Sequence, residues 1–255
     1  MTRTTLFLAG AALLASTALV TAAPAVTAKM KTAVADTARP AADTARDEYR
    51  KPAQMLAFAG ITPGKVVVDM LPGGGYFTRI FAKAVEPGGR VYAYFGSQYD
   101  ARLKTQNKDP DNQFADLKAA YKNLGVIHGP LAQFVTPEPV DVVWTSDNYH
   151  DMHTKAYDMD VSAVNKAIYK SLKPGGYYII VDHKAAESTG DDVSEALHRI
   201  KESTTKTEVE AAGFKLVAEG KDMINATDDG TKRVFEADVR GKTSQFMLKF
   251  QKPRH

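Results

Sequence analysis

V-V-V-D-M-L-P-G-G-G-Y-F-T, residues Val66 to Thr78, is the stretch from which the rest of the chain is read. Val66, Val67 and Val68 form a short apolar β-branched run, the pattern of a strand covered on both faces in a parallel sheet. Asp69 follows at the strand's end. Pro72, Gly73, Gly74 and Gly75 make a turn, and Tyr76 to Val85 has helical spacing. Strand, glycine turn and helix form the opening unit of a nucleotide-binding α/β domain. Glycines let the backbone approach a ligand without Cβ interference, and the helix start presents unpaired N–H groups. The dinucleotide fingerprint begins directly with glycine. An acid between strand and turn suits a ligand carrying hydroxyls or an ammonium group instead of a pyrophosphate. The same glycines would also serve an ordinary tight βα turn.

Outward from that unit, strand and helix patterns alternate. Upstream, Arg46 to Ala59 is helical, with Pro52 opening its second half, Gly60 ending it and Ile61 to Gly64 turning into the first strand. Downstream, Glu86-Pro87-Gly88-Gly89 is a turn, and Val91 to Phe95 is a second strand. Residues 101–123 have helical spacing at Phe114, Leu117 and Tyr121. Leu124 to Ile127 is a weak third strand, Pro137-Glu138-Pro139 a break, and Val140 to Ser146 a fourth strand. It runs into the polar cluster Asp147-Asn148-Tyr149-His150-Asp151-Met152-His153. Asp160 to Leu172 is a helix, and Tyr177 to Val181 is a fifth strand closed by Asp182-His183. Gly190 to Ile200 is loop and helix, and Thr207 to Ala212 starts another helix. Gly213 to Ala218 and Ser244 to Phe250 are the last strands. In an open α/β sheet, ligands sit outside the carboxyl ends of the strands. The polar clusters after the first, fourth and fifth strands therefore share one edge.

The N-terminus has a different character. Arg3, an apolar core from Leu6 to Val20 and the small residues Val26-Thr27-Ala28 form a targeting segment over residues 1–28, with cleavage after Ala28 or, alternatively, after Ala23. The apolar core is too short to span a bilayer comfortably, so no stable membrane span is expected after cleavage. The mature protein is expected outside the cytoplasm, in the periplasm. Residues 29–45 read as a linker in which Ala-Asp-Thr-Ala-Arg occurs twice, at 35–39 and 42–46. A net charge of +3 over 255 residues argues against steering to nucleic acid or membrane surfaces. The absence of cysteine excludes disulfides, thiolate chemistry and lipid attachment through cysteine.

At Asp69 to Thr78 the chain resembles the class I S-adenosylmethionine-dependent methyltransferases, whose motif I is acidic-x-Gly-x-Gly-x-Gly. It is most similar to a bacterial exported group described as predicted methyltransferases. The resemblance extends from Arg46 to Pro253 and includes, in order, A-F-A-G-I-T-P-G-K, D-N-Y-H-D, L-K-P-G-G, V-D-H, L-H-R-I, E-A-A-G-F and R-G-K-T-S-Q-F. It implies one domain over 46–255: a Rossmann-like, doubly wound, seven-stranded and mostly parallel sheet with an antiparallel C-terminal edge hairpin. It implies S-adenosylmethionine as cofactor, S-adenosylhomocysteine as product, and methyl transfer to an unidentified small-molecule acceptor. Carried onto this sequence, the cofactor residues are Asp69, Pro72, Gly73, Gly74, Gly75, Tyr76 and Asn148. The chain departs from the pattern twice. Leu71 stands where the first glycine is expected, and no acid ends the second strand near Phe95, where the family holds the ribose. Asp100 is the replacement offered for that acid.

Methyl transfer depends mostly on positioning, but a phenol, alcohol or carbon-acid acceptor needs a general base, commonly histidine. His150 is the first candidate, oriented by Asp147 or Asp151; His183, beside Asp182, is the second; His198 is the third. Tyr149, Asp151, Arg199 and Arg50 are the expected substrate-binding residues, the two arginines as anion clamps. A metal site built on His150-x-x-His153 with Asp182 or His183 is the rival use of the histidines. Because the pair lies in a loop whose spacing does not hold a geometry, no metal ligand is assigned. A second reading is an exported, non-catalytic ligand-binding protein on the same fold. A third is a metal-dependent hydrolase on that scaffold.

Overall fold

The computed structural model describes residues 24–109, 112 and 114–254. The expected targeting segment therefore lies, up to residue 23, outside the described residues. Val66–Met70 is β1, buried along its whole length as the β-branched run requires. Its neighbours are β2 (Arg90–Gly96) and β4 (Val140–Ser146), both parallel to it. Outward lie β3 (Leu124–Gly129) beside β2 and β5 (Leu172–His183) beside β4, again parallel. Then come β7 (Gln245–Gln251), antiparallel to β5, and β6 (Lys215–Gly220), antiparallel to β7. The sheet order is β3-β2-β1-β4-β5-β7-β6. It is the seven-stranded, mostly parallel sheet with an antiparallel edge pair.

The helices cover both faces, and the period-2 alternation of the strands divides the core. Val67, Trp144 and Ile179 face Phe77, Phe81 and Leu56, which come from α5 (Tyr76–Ala84) and α4 (Pro52–Ala59). Val68, Val143 and Ile180 face Val164 and Ile168 of a helix over Val161–Ser171 and Val209 of one over Glu202–Ala211. Asp69 shares the face of Val67, so its side chain points at α5. Among the described residues no helix is long and apolar enough to cross a membrane.

The stretch read as a linker is folded. It carries α1 (Ala28–Val34) and α2 (Ala41–Thr44). Met30 and Ala33, three residues apart on one face, are buried in the core. Thr27 caps α1 by accepting a hydrogen bond from the Met30 N–H, and Val26 packs on the same core. The buried Arg39 guanidinium holds Asp47 with two bonds, at 2.6 and 2.9 Å. Alanine-rich composition resembles a tether, but alanine is also the best helix former. Further on, the helical pattern from Arg46 breaks at Lys51, which is left-handed at φ 43°, into α3 (Asp47–Arg50) and α4. The helix expected from Thr207 already begins at Glu202.

Candidate functional site

Three residues of the turn after β1 are left-handed: Leu71 at φ 55°, Gly73 at 54° and Gly75 at 80°. Such values are uncommon for a side-chain-bearing residue. Leu71 thus takes the glycine conformation at the position where the motif has a glycine. It is held there on both sides. Its N–H donates to Tyr94 O of β2 at 2.9 Å, and its carbonyl accepts from Asn148 Nδ2 at 3.1 Å. Asn148 also donates to Ser146 O at 2.6 Å, so its amide ties the β1 turn to the end of β4. The Gly75 N–H closes the turn on Pro72 O. A Cβ added at Gly73 or Gly74 would meet nothing within 4 Å, whereas one at Gly75 would lie 2.7 Å from Leu117. The first two glycines therefore face open space, and the third packs.

Asp69, buried, accepts a 2.6 Å bond from the Thr78 hydroxyl. Burial pushes its carboxyl up to about 7, against the opposing pull of Thr78 and Arg50. The Tyr76 hydroxyl donates to Asp47 Oδ1 at 2.6 Å. Its ring lies 4.8–5.3 Å from the guanidinium carbons of Arg46, Arg50 and Arg39. Tyr76 thus anchors α3 over α5. Asp100 lies on a helix over Ser97–Thr105. Its Oδ2 is 2.9 Å from His128 Nδ1 on β3, and its Oδ1 is buried without a hydrogen-bond partner.

The ends of β4 and β5 carry the histidines. A 3₁₀ turn over His150–His153 follows β4. Asp182, fully buried on β5, grips that turn twice: it accepts the His150 N–H at 2.8 Å and faces His150 Nδ1 at 2.7 Å. Burial acts to discharge the His150 ring, but Asp182 outweighs it and raises the imidazole above its ordinary value. Burial likewise acts against the Asp182 charge, yet His150 holds that carboxyl below the ordinary range. His198, left-handed at φ 58°, packs edge-on against His150 with ring centroids 4.1 Å apart. Burial and the neighbouring His150 and His183 lower it to about 4. His183 accompanies Thr243, Nδ1 to Oγ1 at 2.7 Å, and burial lowers its pKa too. It faces an open cleft of about 840 Å³ that Arg50, Asp147, Phe235, Thr243 and Gln245 also line. Arg50 pairs with Asp147 across that cleft at 2.6 Å.

Two expected substrate residues are corrected. Arg199 is buried, and its guanidinium is taken up by Asp228 (2.9 Å, twice), Lys232 O and Lys184 O. It leaves no fork for a substrate anion. Tyr149 is buried against the helix after β4. Its hydroxyl donates to Glu208 at 2.9 Å and accepts from Asn165 at 2.8 Å. The pair His150-x-x-His153 does not converge either, since His153 Nε2 turns to Glu208 at 3.1 Å. Sequence reasoning left out Thr243, Gln245 and Phe235. The first two lie within the quoted R-G-K-T-S-Q-F stretch, which was their available signal; Phe235 had none.

No protein-family model and no curated protein sequence matches the chain. Solved structures do. A SAM-dependent methyltransferase from Aquifex aeolicus is 18% identical with a TM-score of 0.54, over 87% of this chain and 97% of that one. The chain has the methyltransferase fold. Other structures share that methyltransferase fold. One is a Burkholderia thailandensis 1,6-didemethyltoxoflavin-N1-methyltransferase with bound S-adenosylhomocysteine. It is 16% identical, with a TM-score of 0.50 and coverage of 89% and 79%. Another is the 4+2 cyclase SpnF, 15% identical, with a TM-score of 0.54 and coverage of 84% and 82%. In this chain the methyltransferase fold brings the turn of Leu71 to Gly75 and the histidine edge to the carboxyl ends of neighbouring strands.

Proposed function

We propose that the protein is an S-adenosylmethionine-dependent methyltransferase for a small-molecule acceptor, working in the periplasm after export. One observation carries this reading: the turn after β1 keeps its glycine-type backbone even at Leu71 and leaves open space over Gly73 and Gly74, at the central strand of a methyltransferase sheet. The residues present fit the cofactor. Asp69 offers a carboxylate to an ammonium group. The backbone over Gly73 and Gly74 accepts a close approach. The orphaned Asp100 Oδ1 offers an acceptor to ribose hydroxyls in place of the acid missing near Phe95. Bound there, S-adenosylmethionine supplies a methyl group on a sulfonium centre.

The acceptor's place is the cleft beside Arg50, Asp147 and His183. His183 takes the acceptor proton, because it lines the cleft and burial keeps its ring neutral at pH 7. The buried His150 leaves that role. Arg50, paired with Asp147, orients the acceptor. For export, cleavage after Ala23 leaves Val26 and the Thr27 cap in place before α1, whereas cleavage after Ala28 removes both.

A second reading, ligand binding without catalysis, is favoured by the end of β2, where Phe95 is buried and no acid follows before Asp100. Calorimetric titration of the protein with S-adenosylhomocysteine separates the two. Micromolar binding that disappears in Asp69→Ala supports the methyltransferase. A folded protein that ignores millimolar ligand supports the second reading.

A further inference from the structure

We propose that His150, Asp151 and His198 bind one divalent transition-metal ion. Their ligand atoms all lie within 4.8 Å of one another. His150 Nε2 and His198 Nε2 each stand 3.4 Å from Asp151 Oδ1. That is long for an N–H···O hydrogen bond, which clusters at about 2.7–3.2 Å. It matches the edge of a coordination tetrahedron: ligands about 2.0–2.1 Å from a zinc ion stand about 3.3–3.4 Å apart.

A second observation points the same way. His150 Nε2 is fully buried and has no hydrogen-bond partner. Buried polar atoms are nearly always satisfied. The other ring nitrogen explains the orientation. Nδ1 sits 2.7 Å from the Asp182 carboxylate, whose second oxygen holds the His150 N–H. A proton on Nδ1 leaves the Nε2 lone pair turned to Asp151 and His198. This carboxylate–imidazole pairing is the arrangement that orients metal-bound histidines. Asp182 is therefore a positioning residue of the site.

The donor set selects the ion. Two imidazoles and a carboxylate suit zinc, cobalt, nickel or ferrous iron, whereas magnesium and calcium prefer oxygen. Three protein ligands leave a fourth position for water or a ligand oxygen. Entry is on the His198 side, where the ring is partly exposed and packs 5.0 Å from Phe235, a residue of the cleft. Arg102 and Arg233 are the cations whose fields reach the cluster; Asp147 and Asp182 act in the opposite sense. His153, bonded to Glu208, takes no part.

The proposal does not depend on the methyl-donor reading, and its test uses no methyl donor. Chelator-treated protein is titrated with Co²⁺ and followed by visible absorbance. The expected result is one equivalent per chain, with ligand-field bands that Zn²⁺ abolishes. In His198→Ala and Asp151→Asn, each verified as folded by circular dichroism, affinity falls beyond the ~10–100-fold typical of losing an outer-shell partner. In His153→Gln it is unchanged. Absence of saturable binding, or binding equal in wild type and a folded His198→Ala or Asp151→Asn, overturns the site.

Discussion

At the end of β1 the turn from Leu71 to Gly75 is shaped by backbone: three left-handed residues, a carbonyl clamped by Asn148, and open space above two glycines. At the ends of β4 and β5 the corresponding edge is shaped by side chains. Asp182 holds His150 from 32 residues away, and His198 arrives from a third element. The first region tolerates a change of residue type as long as the dihedral survives, which is how Leu71 stands in a glycine's place. The second depends on individual charged and polar partners, of which Asp182 and His150 are fully buried and costly to remove.

Four substitutions break or sharpen that contrast. The largest effect belongs to Arg199→Ala, beside the side-chain-built edge. Removing one partner of the buried Arg199–Asp228 pair lowers stability by about 3–5 kcal/mol in urea unfolding. A loss under about 1 kcal/mol would return Arg199 to the role of anion clamp. Asp69→Asn comes next and is pH-dependent. Burial raises the folded carboxyl to about 7 from an ordinary 3.8, so the folded state holds a proton that the unfolded chain releases between these values. The Asp69 contribution to stability therefore falls as pH rises from about 4 to about 7, by as much as about 1.4 kcal/mol per unit, and is flat above, while His198, lowered to about 4, contributes in the opposite sense over the lower part of that range. The asparagine variant lacks this fall, and parallel urea curves at pH 5 and pH 8 measure it. Gly75→Ala forces a Cβ to 2.7 Å from Leu117 in a left-handed residue and costs about 1–3 kcal/mol. The smallest effect is at Leu71→Gly. Relief of about 1–2 kcal/mol of left-handed strain offsets about 1.5–3 kcal/mol of lost apolar burial. The thermal midpoint should move by only a few degrees. A large loss there would show that the turn is held by the Leu71 side chain and not by its backbone.

Much of the fold was legible because its signals are local. Val66 to Val68 has the pattern of a covered strand, and Asp160, which caps its helix by accepting from the Ala163 N–H, marks a helix start from sequence alone. The antiparallel edge pair came from the resemblance, and the structure has it. The site was legible in outline. His150 and His183 were chosen by their positions after strands and His198 as a third candidate near the end of a helix, and their rings do gather, with His150 at 5.7 Å from His183 and 4.1 Å from His198. Their surroundings were not legible. Whether a histidine faces a cleft or a buried carboxylate depends on a neighbouring strand, and His150 and His183 have opposite surroundings. Arg199 and Tyr149 failed for the same reason: Asp228 and Glu208, which engage them, lie 29 and 59 residues away. The supposed linker failed because Met30 and Ala33 acquire meaning only against the helices they cover.

By itself the sequence determined the alternation of strands and helices, the glycine turn after β1, and the set of polar residues delivered to one sheet edge. These follow from periodicity, β-branching and glycine's dihedral freedom, all properties of a residue and its near neighbours. Tertiary structure alone decided which of those polar residues are spent on the protein itself and which remain available. It committed Arg199 to Asp228, Tyr149 and His153 to Glu208, and Asp182 to His150, while leaving His150 Nε2 and Asp100 Oδ1 unpartnered. The reason is physical. A buried polar group must find its partner wherever the fold brings one, and that pairing is set by distances across the sheet, not along the chain.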